Sequence, residues 1–568
     1  NPAMRKSGVG AAGDAFLDLW TDRLFDALQG RLRIVLLLLA ALLVVLPGQS
    51  SLPVTDRDEA RFAQASKQMV ETGDLIDIRL QEAPRWKKPA GIYWLQAASA
   101  SVVGGAEAPI WAYRLPSALA ALAAALAMLW AAVPFVERQA AGLAALMLAT
   151  CVLFAAEANI AKTDAALMLT GVLTLGALGH LFLGAGGIGA ALVLWIALAA
   201  AILLKGPIIP FIAVLSVAGF WIAKRPGLGV LRIWWGVPLM ALLVLPWLIA
   251  IWQISNGAFF AESLGKDLAG KLAEGQEKHW GPPGLYALLV WGTFWPWAAL
   301  IPLAAAWLWR QRREAWLILL ASWVVPFWIV VEIVPTKLPH YVLPLYPGLA
   351  MALAAWVLAG EAPLGRLWRR VSAGLVAVPC LALGLALIAL PIVIEGRLIA
   401  GALPLVLAAV ALAFLAARAA LAGKARAQVM ASALSAVCLY PAILGLSLPA
   451  LQTVFPSPRI AEAAAQWRPC AAGPLISAGY REPSLVFLTE TRTQLAAPSV
   501  VAERLSEPGA LLLIEERWWP LIAPSLPDGR PELIPRAELS YFNYNRGKTE
   551  TATLYTSDDP RWDACANR

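Results

Sequence analysis

Seven residues, Thr55-Asp-Arg-Asp-Glu-Ala-Arg61, place three acids and two bases directly after the first long apolar stretch, which runs from about Leu32 to Leu46. Ionisable groups clustered at a lipid boundary are costly unless solvated or paired, so they mark a candidate site. The same mixture recurs further along the chain. Carboxylates stand at Asp56, Asp58, Glu157, Asp164 and Glu262. Cations and a phenol stand at Arg61, Lys88, Lys162, Lys205, Lys271, Lys337 and Tyr341. Carboxylates ringed by Lys and Arg suit a phosphate-bearing substrate with an activated carbon: the cations hold and neutralise a departing phosphate, and a carboxylate orients a nucleophile or holds an ammonium. His279 with Glu277 is a candidate divalent-metal pair (Zn or Mg), although the chemistry requires no cofactor. No Gly-rich nucleotide loop of either common kind is present.

The elements that must position these groups are written for lipid. The 568 residues are 60% hydrophobic and 14% charged, against roughly a quarter charged in soluble chains. The mean hydropathy is +0.67. Thirteen apolar segments fall near 32–49, 110–133, 139–156, 164–184, 187–204, 207–223, 232–252, 285–308, 316–334, 341–359, 373–394, 401–421 and 430–450. Most approach the ~20 residues that cross a hydrocarbon core. Basic residues recur in alternate connections: Arg31 and Arg33, Arg138, Lys224 with Arg225 and Arg232, Arg310 with Arg312 and Arg313, Arg366 with Arg369 and Arg370, and Lys424 with Arg426. The positive-inside bias makes those connections and the N-terminus cytoplasmic. The unusual polar groups and everything after residue 450 then face outward. The net charge of +8 follows from these basic loops and implies no nucleic acid.

Asn1-Pro-Ala before Met4 reads as a cloning remnant, and residues 14–30 as an amphipathic helix on the membrane surface. In the first outer connection, Asp58–Thr72 reads as an amphipathic helix and Leu75–Leu80 as extended. Gly91–Val103 reads as an apolar helix too short to span, lying along the interface. The chain thus divides into residues 1–30, a membrane domain over 31–450, and a soluble α/β domain over 451–568. In the last, 474–478, 485–489 and 511–514 are expected strands and 460–467 a helix. Cys151, Cys380 and Cys438 lie in apolar runs and are expected to be inert. Cys470 and Cys565 bracket the outer domain and form the one plausible disulfide.

At this point the motifs resemble a known family. Asp56-Arg-Asp-Glu-Ala-Arg61, Met69-Val-Glu-Thr-Gly-Asp74 and Lys88-Pro-Ala-Gly-Ile-Tyr-Trp94 are similar to the first outer loop of the GT-C membrane glycosyltransferases. So are Ala161-Lys-Thr-Asp-Ala165 and Thr336-Lys-Leu-Pro-His-Tyr341 further on. The nearest resemblance is to the bacterial lipid A aminoarabinose transferases, over the membrane part to about residue 450. The resemblance implies a GT-C fold of about 13 transmembrane helices with a small C-terminal α/β domain. It implies transfer of 4-amino-4-deoxy-L-arabinose from undecaprenyl phosphate to lipid A phosphates at the periplasmic face of the inner membrane, by a monomer. This lowers lipid A charge and gives polymyxin resistance.

Carried over by motif, Asp58 and Asp164 are the catalytic acids. Lys88 and Tyr341 contact the donor phosphate, with Arg61, Lys337, Lys271 and Lys205 as further cations. This chain reads Lys87-Lys88-Pro89 where relatives commonly read Glu-Lys-Pro, so position 87 offers no acid. A protein O-mannosyltransferase of the same clan is the alternative. A lipid transporter is a third reading, but it predicts charges at helix centres, and these are almost charge-free.

Overall fold

The computed structural model describes residues 19–28, 30–55, 57–263, 265, 280–360, 365–505, 507–525, 533–543 and 546–566. Each of the thirteen apolar segments is helical. Among the described residues nine helices are long and apolar enough to cross a membrane. Three further segments are bent pairs, among them Arg138–Ala149 with Val152–Ala158 (62°) and Leu285–Thr293 with Trp297–Gln311 (108°). Ile208–Lys224 is apolar but shorter. Many outward-facing side chains of these helices are large and apolar, including Val214, Ile222, Leu242 and Val393. A water-facing surface would not tolerate so broad an apolar coat, and a lipid-facing one requires it. The chain is an integral membrane protein.

The two helices of the first outer connection form where the pattern predicts, while of the expected extended piece Leu75–Leu80 only Arg79–Leu80 is a strand. Helix α1 is Arg57–Thr72. A two-stranded ribbon follows, β1 Arg79–Leu80 against β2 Ala83–Pro84. Helix α2 is Gly91–Val103. Next come the long helix α3, Ile110–Ala131, the short α4, Val152–Ala158, the span α5, Asp164–Phe182, and the span α6, Ile188–Lys205. Helix α2 starts against the end of α6. A Cβ at Gly91 would lie 2.7 Å from the Leu203 carbonyl oxygen, so only glycine permits this approach. That contact brings the Lys88 segment and the C-terminal end of α6 together. Lys205 is the last residue of α6, and Gly206, at φ +75°, turns the chain away in a conformation that favours glycine. The segment Pro339–Ala359 begins as a 3₁₀ turn and carries His340 and Tyr341 on it.

After residue 456 the chain forms a five-stranded mixed sheet. Its strands are β3 Ile476–Ala478, β4 Gln494–Ala496, β5 Leu511–Glu515, β6 Leu533–Asn543 and β7 Lys548–Ser557, in the order β4-β3-β5-β7-β6. Strand β5 is apolar throughout because both its faces are covered. Leu511 and Leu513 pack with Ile460 and Leu475 on one side, while Leu512 and Ile514 pack with Val501 and Ile522 on the other. Cys470 and Cys565 are disulfide-bonded, which closes the ends of this region. Cys151 and Cys380 are free and buried, as their apolar surroundings predicted. One expectation fails: residues 485–489 are not a strand. Pro483 sits at the first helical position and starts the short helix Pro483–Leu488. Phe487 on that helix packs edge-on against Tyr113 of α3, 5.2 Å between ring centres.

Candidate active site

Three consecutive positions in the first turn of α1 point in three directions, as successive helical residues must. Arg57 reaches the C-terminal region, with its guanidinium 2.9 and 2.6 Å from the two Glu482 carboxylate oxygens. Asp58 faces the charged layer and accepts from Arg61 Nη1 at 3.2 Å. Glu59 points into the protein and is fully buried. It receives both Arg114 Nε and Nη2, at 2.7 and 2.9 Å, and the amides of Thr55 and Ala161, at 3.1 and 2.9 Å. Arg114, itself 0% exposed, spends its other N–H groups on the carbonyls of Gly48, Gln49, Leu52 and Pro53. This buried pair therefore ties the end of the first span, the start of α1, helix α3 and the 157–164 segment at one point. Every donor and acceptor is satisfied, which a buried ion pair requires.

The 157–164 segment carries the second set of charges. Lys162 Nζ lies 3.7 Å from Glu157, and Lys205 Nζ lies 2.5 Å from Asp164 Oδ1. His340 stands between the two acids, with Nδ1 3.8 Å from Glu157 and Nε2 3.9 Å from Asp164. The Tyr341 ring is 5.7 Å from the Lys205 ammonium. Lys88, Lys162 and Lys205 all act electrostatically on His340. Lys162 acts on both Asp58 and Asp164, so one cation links the two carboxylates.

Asp58 is held below its ordinary value of 3.8. Burial alone would raise it, but Lys162, Arg85 and Arg61 outweigh burial. Arg85 is buried beneath Asp58, over the Phe62 ring at 5.3 Å, and donates to the Tyr93 hydroxyl at 3.3 Å. Burial pushes the Tyr93 phenol up, so it remains a neutral hydrogen-bonding partner. Around Asp58, Glu157 and Asp164 stand Arg61, Arg85, Lys88, Lys162 and Lys205, five cations for three acids. The surplus suits an anionic ligand.

Of the residues singled out from sequence, Asp58, Arg61, Lys88, Asp164, Lys205 and Tyr341 fall in this one layer. Lys337 does not join them. Its ammonium donates to the carbonyls of Val331 and Glu332, at 2.7 and 2.6 Å. It thus caps the end of the helix Ala315–Ile333, where unsatisfied carbonyls attract a cation. Asp56, Lys271 and His279 lie outside the described residues. Sequence reasoning missed Arg85, Tyr93, His340 and the Glu59–Arg114 pair. His340 stands beside Tyr341 in the quoted motif, and Glu59 in the opening one. Arg114 gave its own signal, as a charge inside an otherwise apolar span.

Glu157, Asp164 and His340 each offer a ligand atom, all within 4.8 Å of one another. The set nevertheless fits a resident divalent ion poorly. Lys205 sits on Asp164 and Lys162 beside Glu157, so ammonium groups already neutralise the two acids. A metal would have to displace Lys205 to gain its ligand.

Two outcomes are expected. Replacing Arg114 by Ala strands a buried carboxylate and should cost about 3–5 kcal/mol, read as a lowered melting temperature of the detergent-solubilised protein. Because the Asp58 carboxyl is held below 3.8, its titration should add no acid limb to wild-type turnover between about pH 5 and 8. A carboxyl titration that removes turnover within that window would place the Asp58 pKa there instead.

Residues 30–257 match the family model described as dolichyl-phosphate-mannose-protein mannosyltransferase. Two curated relatives carry the name undecaprenyl phosphate-alpha-4-amino-4-deoxy-L-arabinose arabinosyl transferase. That of Pseudomonas aeruginosa is 30% identical over 351 residues, covering 59% of this chain and 60% of the relative. That of Serratia proteamaculans is 29% identical over 350 residues, covering 58% and 60%. The matched region spans about three-fifths of these relatives' length. Among solved structures, ArnT from Cupriavidus metallidurans bound to undecaprenyl phosphate aligns with a TM-score of 0.70 at 20% identity, covering 92% of this chain and 97% of that one. An Archaeoglobus fulgidus oligosaccharyltransferase aligns with a TM-score of 0.51 at 12% identity, covering 87% and 71%. The chain is thus similar in sequence to the aminoarabinose arabinosyl transferases and shares the fold of ArnT over nearly its whole length, as the loop motifs implied.

Proposed function

We propose that this protein is a glycosyltransferase that moves 4-amino-4-deoxy-L-arabinose from undecaprenyl phosphate to a phosphate of lipid A, at the periplasmic face of the bacterial inner membrane. The observation that carries the reading is the cation-rich layer around Asp58 and Asp164, in a chain similar to transferases named for that donor and sugar. The bond between the sugar's anomeric carbon and the undecaprenyl phosphate oxygen breaks, and a lipid A phosphate oxygen bonds to that carbon. The attacking oxygen is already anionic and the leaving group is a phosphate, so neither end needs a proton.

The site's work is then positioning and charge. Lys88, Lys205 and Arg61 neutralise the departing phosphate, with the Tyr341 hydroxyl as a further donor. Asp58, held ionised, orients the acceptor, receives the sugar's ammonium, or stabilises positive charge developing at the ring. Asp164 is ion-paired to Lys205 and fixes that cation. The ammonium groups supply the charge a divalent ion would, so no metal takes part. The product carries less negative charge, which weakens binding of polymyxin and other cationic peptides. The protein works as a monomer with a cytoplasmic N-terminus and an outward C-terminal region.

A second reading, transfer of a polyprenyl-phosphate-linked sugar to a protein hydroxyl, is favoured by the family model matched over residues 30–257. A hydroxyl needs a base, and an aspartate held below its ordinary value is a weak one.

Mass spectrometry of lipid A from cells with and without this gene tests the function. A gain of one amino-pentose supports it, while an unchanged lipid A together with a labelled peptide supports the second reading. In purified protein, Asp58→Asn should abolish transfer while leaving undecaprenyl phosphate binding nearly intact. Lys88→Ala should weaken that binding by about tenfold, and a chelator should leave turnover unchanged. Wild-type turnover by Asp58→Asn removes Asp58 from the mechanism.

A further inference from the structure

A cavity of about 270 Å³ lies where the segment before α1 meets the C-terminal region. It is separate from the layer around Asp164. Its walls come from three parts of the chain: Val54, Thr55 and Arg57, then Val454–Pro458, and the loops and strand ends of the five-stranded sheet. Four arginines line it, Arg57, Arg481, Arg517 and Arg546, against two glutamates, Glu482 and Glu515. With Glu550, which stands 3.2 Å from Arg546 and 3.7 Å from Arg517, the cluster carries a net charge of +1.

The acids hold the guanidinium groups in place without using them up. Arg517 pairs with Glu515 at 2.7 Å and Arg546 with Glu550 at 3.2 Å. One carboxylate cannot occupy all five donors of a guanidinium. The side chains of Arg517 and Arg546 line the cavity and are 36% and 45% exposed, which leaves guanidinium surface beyond these pairs open to a ligand. Phe455, the Asn543 amide and the buried Tyr480 and Tyr541 complete a lining of aromatic groups beside polar ones. A phosphate takes bidentate guanidinium contacts, and a sugar ring takes an aromatic face with amide and carboxylate partners. The volume is at the small end of ligand pockets, ~300–1,000 Å³, which suits one sugar phosphate and not an acyl chain.

We infer that this cavity is an acceptor subsite that holds a phosphorylated sugar of the glycolipid headgroup. The inference rests on the proposed transfer and assigns the C-terminal region a share in it. Arg57 lines the cavity and Asp58 faces the reacting layer, so a headgroup gripped here lies one residue from the carboxylate. The region is fastened to the same helix along its length. Gln64 donates to Thr491 at 2.8 Å, Thr491 donates to Glu71 at 2.9 Å, and the Lys67 ammonium lies 6.0 Å from the centre of the Phe487 ring. The segment from Glu482 to Thr491, which carries one wall of the cavity, is therefore held in fixed relation to α1.

The test uses full-length protein in detergent and a deacylated, phosphorylated glucosamine disaccharide as the probe. Saturable binding to wild type is expected, with much weaker binding of the unphosphorylated disaccharide and of inorganic phosphate. Arg546→Glu and Arg481→Gln, made singly, should each raise the probe Kd by about tenfold. They should raise KM for the glycolipid acceptor in parallel, with kcat and undecaprenyl phosphate binding unchanged. A lack of saturable binding to wild type overturns the subsite. So does unchanged Kd and KM in either variant that melts as wild type. Inorganic phosphate binding as tightly as the disaccharide overturns the sugar assignment. Wild-type transfer to the glycolipid is scored separately: its absence counts against the proposed reaction, whereas the probe Kd values judge the cavity.

Discussion

The Glu59–Arg114 pair is the contact on which the rest of the outer architecture depends. Two full charges are buried at 0% exposure, and the desolvation cost of that arrangement is several kcal/mol per ion. It is offset because both groups are saturated, Glu59 by two amides and a forked guanidinium, Arg114 by four carbonyls from residues 48–53. Those partners belong to the end of the first span, the turn before α1, helix α3 and the loop leading to Asp164. A hydrophobic contact would hold these pieces near one another. A forked ion pair also fixes their rotation, since its geometry tolerates little displacement. The directions in which Asp58 and Lys162 project follow from it.

Around that anchor, the site is built from cations placed by unlike means. Lys205 is set by the end of a span and a glycine turn, Lys88 by the close approach of α2 to α6, and Arg85 by burial under Asp58 against Phe62. Each comes from a different element, so no short sequence window contains the site. The carboxylates keep these like charges together. Asp164 anchors Lys205, Glu157 stands by Lys162, and Asp58 draws in Arg61. The acids serve assembly as well as chemistry.

Much of this was legible from sequence because lipid simplifies the code. Apolar length set the helices, and the density of charge at Thr55–Arg61 marked the outer layer before any geometry was known. What the sequence could not separate was the role of neighbours. Arg57, Asp58 and Glu59 look alike as a charged run, yet one bridges to Glu482, one faces the site and one is the buried anchor. That division depends on helical phase relative to partners 55 and 425 residues away. Lys337 misled for a similar reason, since its chain neighbours His340 and Tyr341 are in the layer while its own ammonium turns back to a helix end. In the C-terminal region, Leu485–Thr489 has the composition of a strand, and the proline at 483 decided otherwise.

The surplus of positive charge around Asp58 has a consequence for how ligands arrive. A lipid carrying a phosphate is confined to a sheet of molecules at fixed depth, and the cationic layer lies at the ends of membrane helices such as α6. The search for the site is then two-dimensional, and the ligand's tail has already set its height and tilt. Little translational freedom remains to be lost on capture, so a site of modest intrinsic affinity fills readily. Release is correspondingly easy, which under the proposed transfer favours rapid exchange of one long-tailed lipid phosphate for the next.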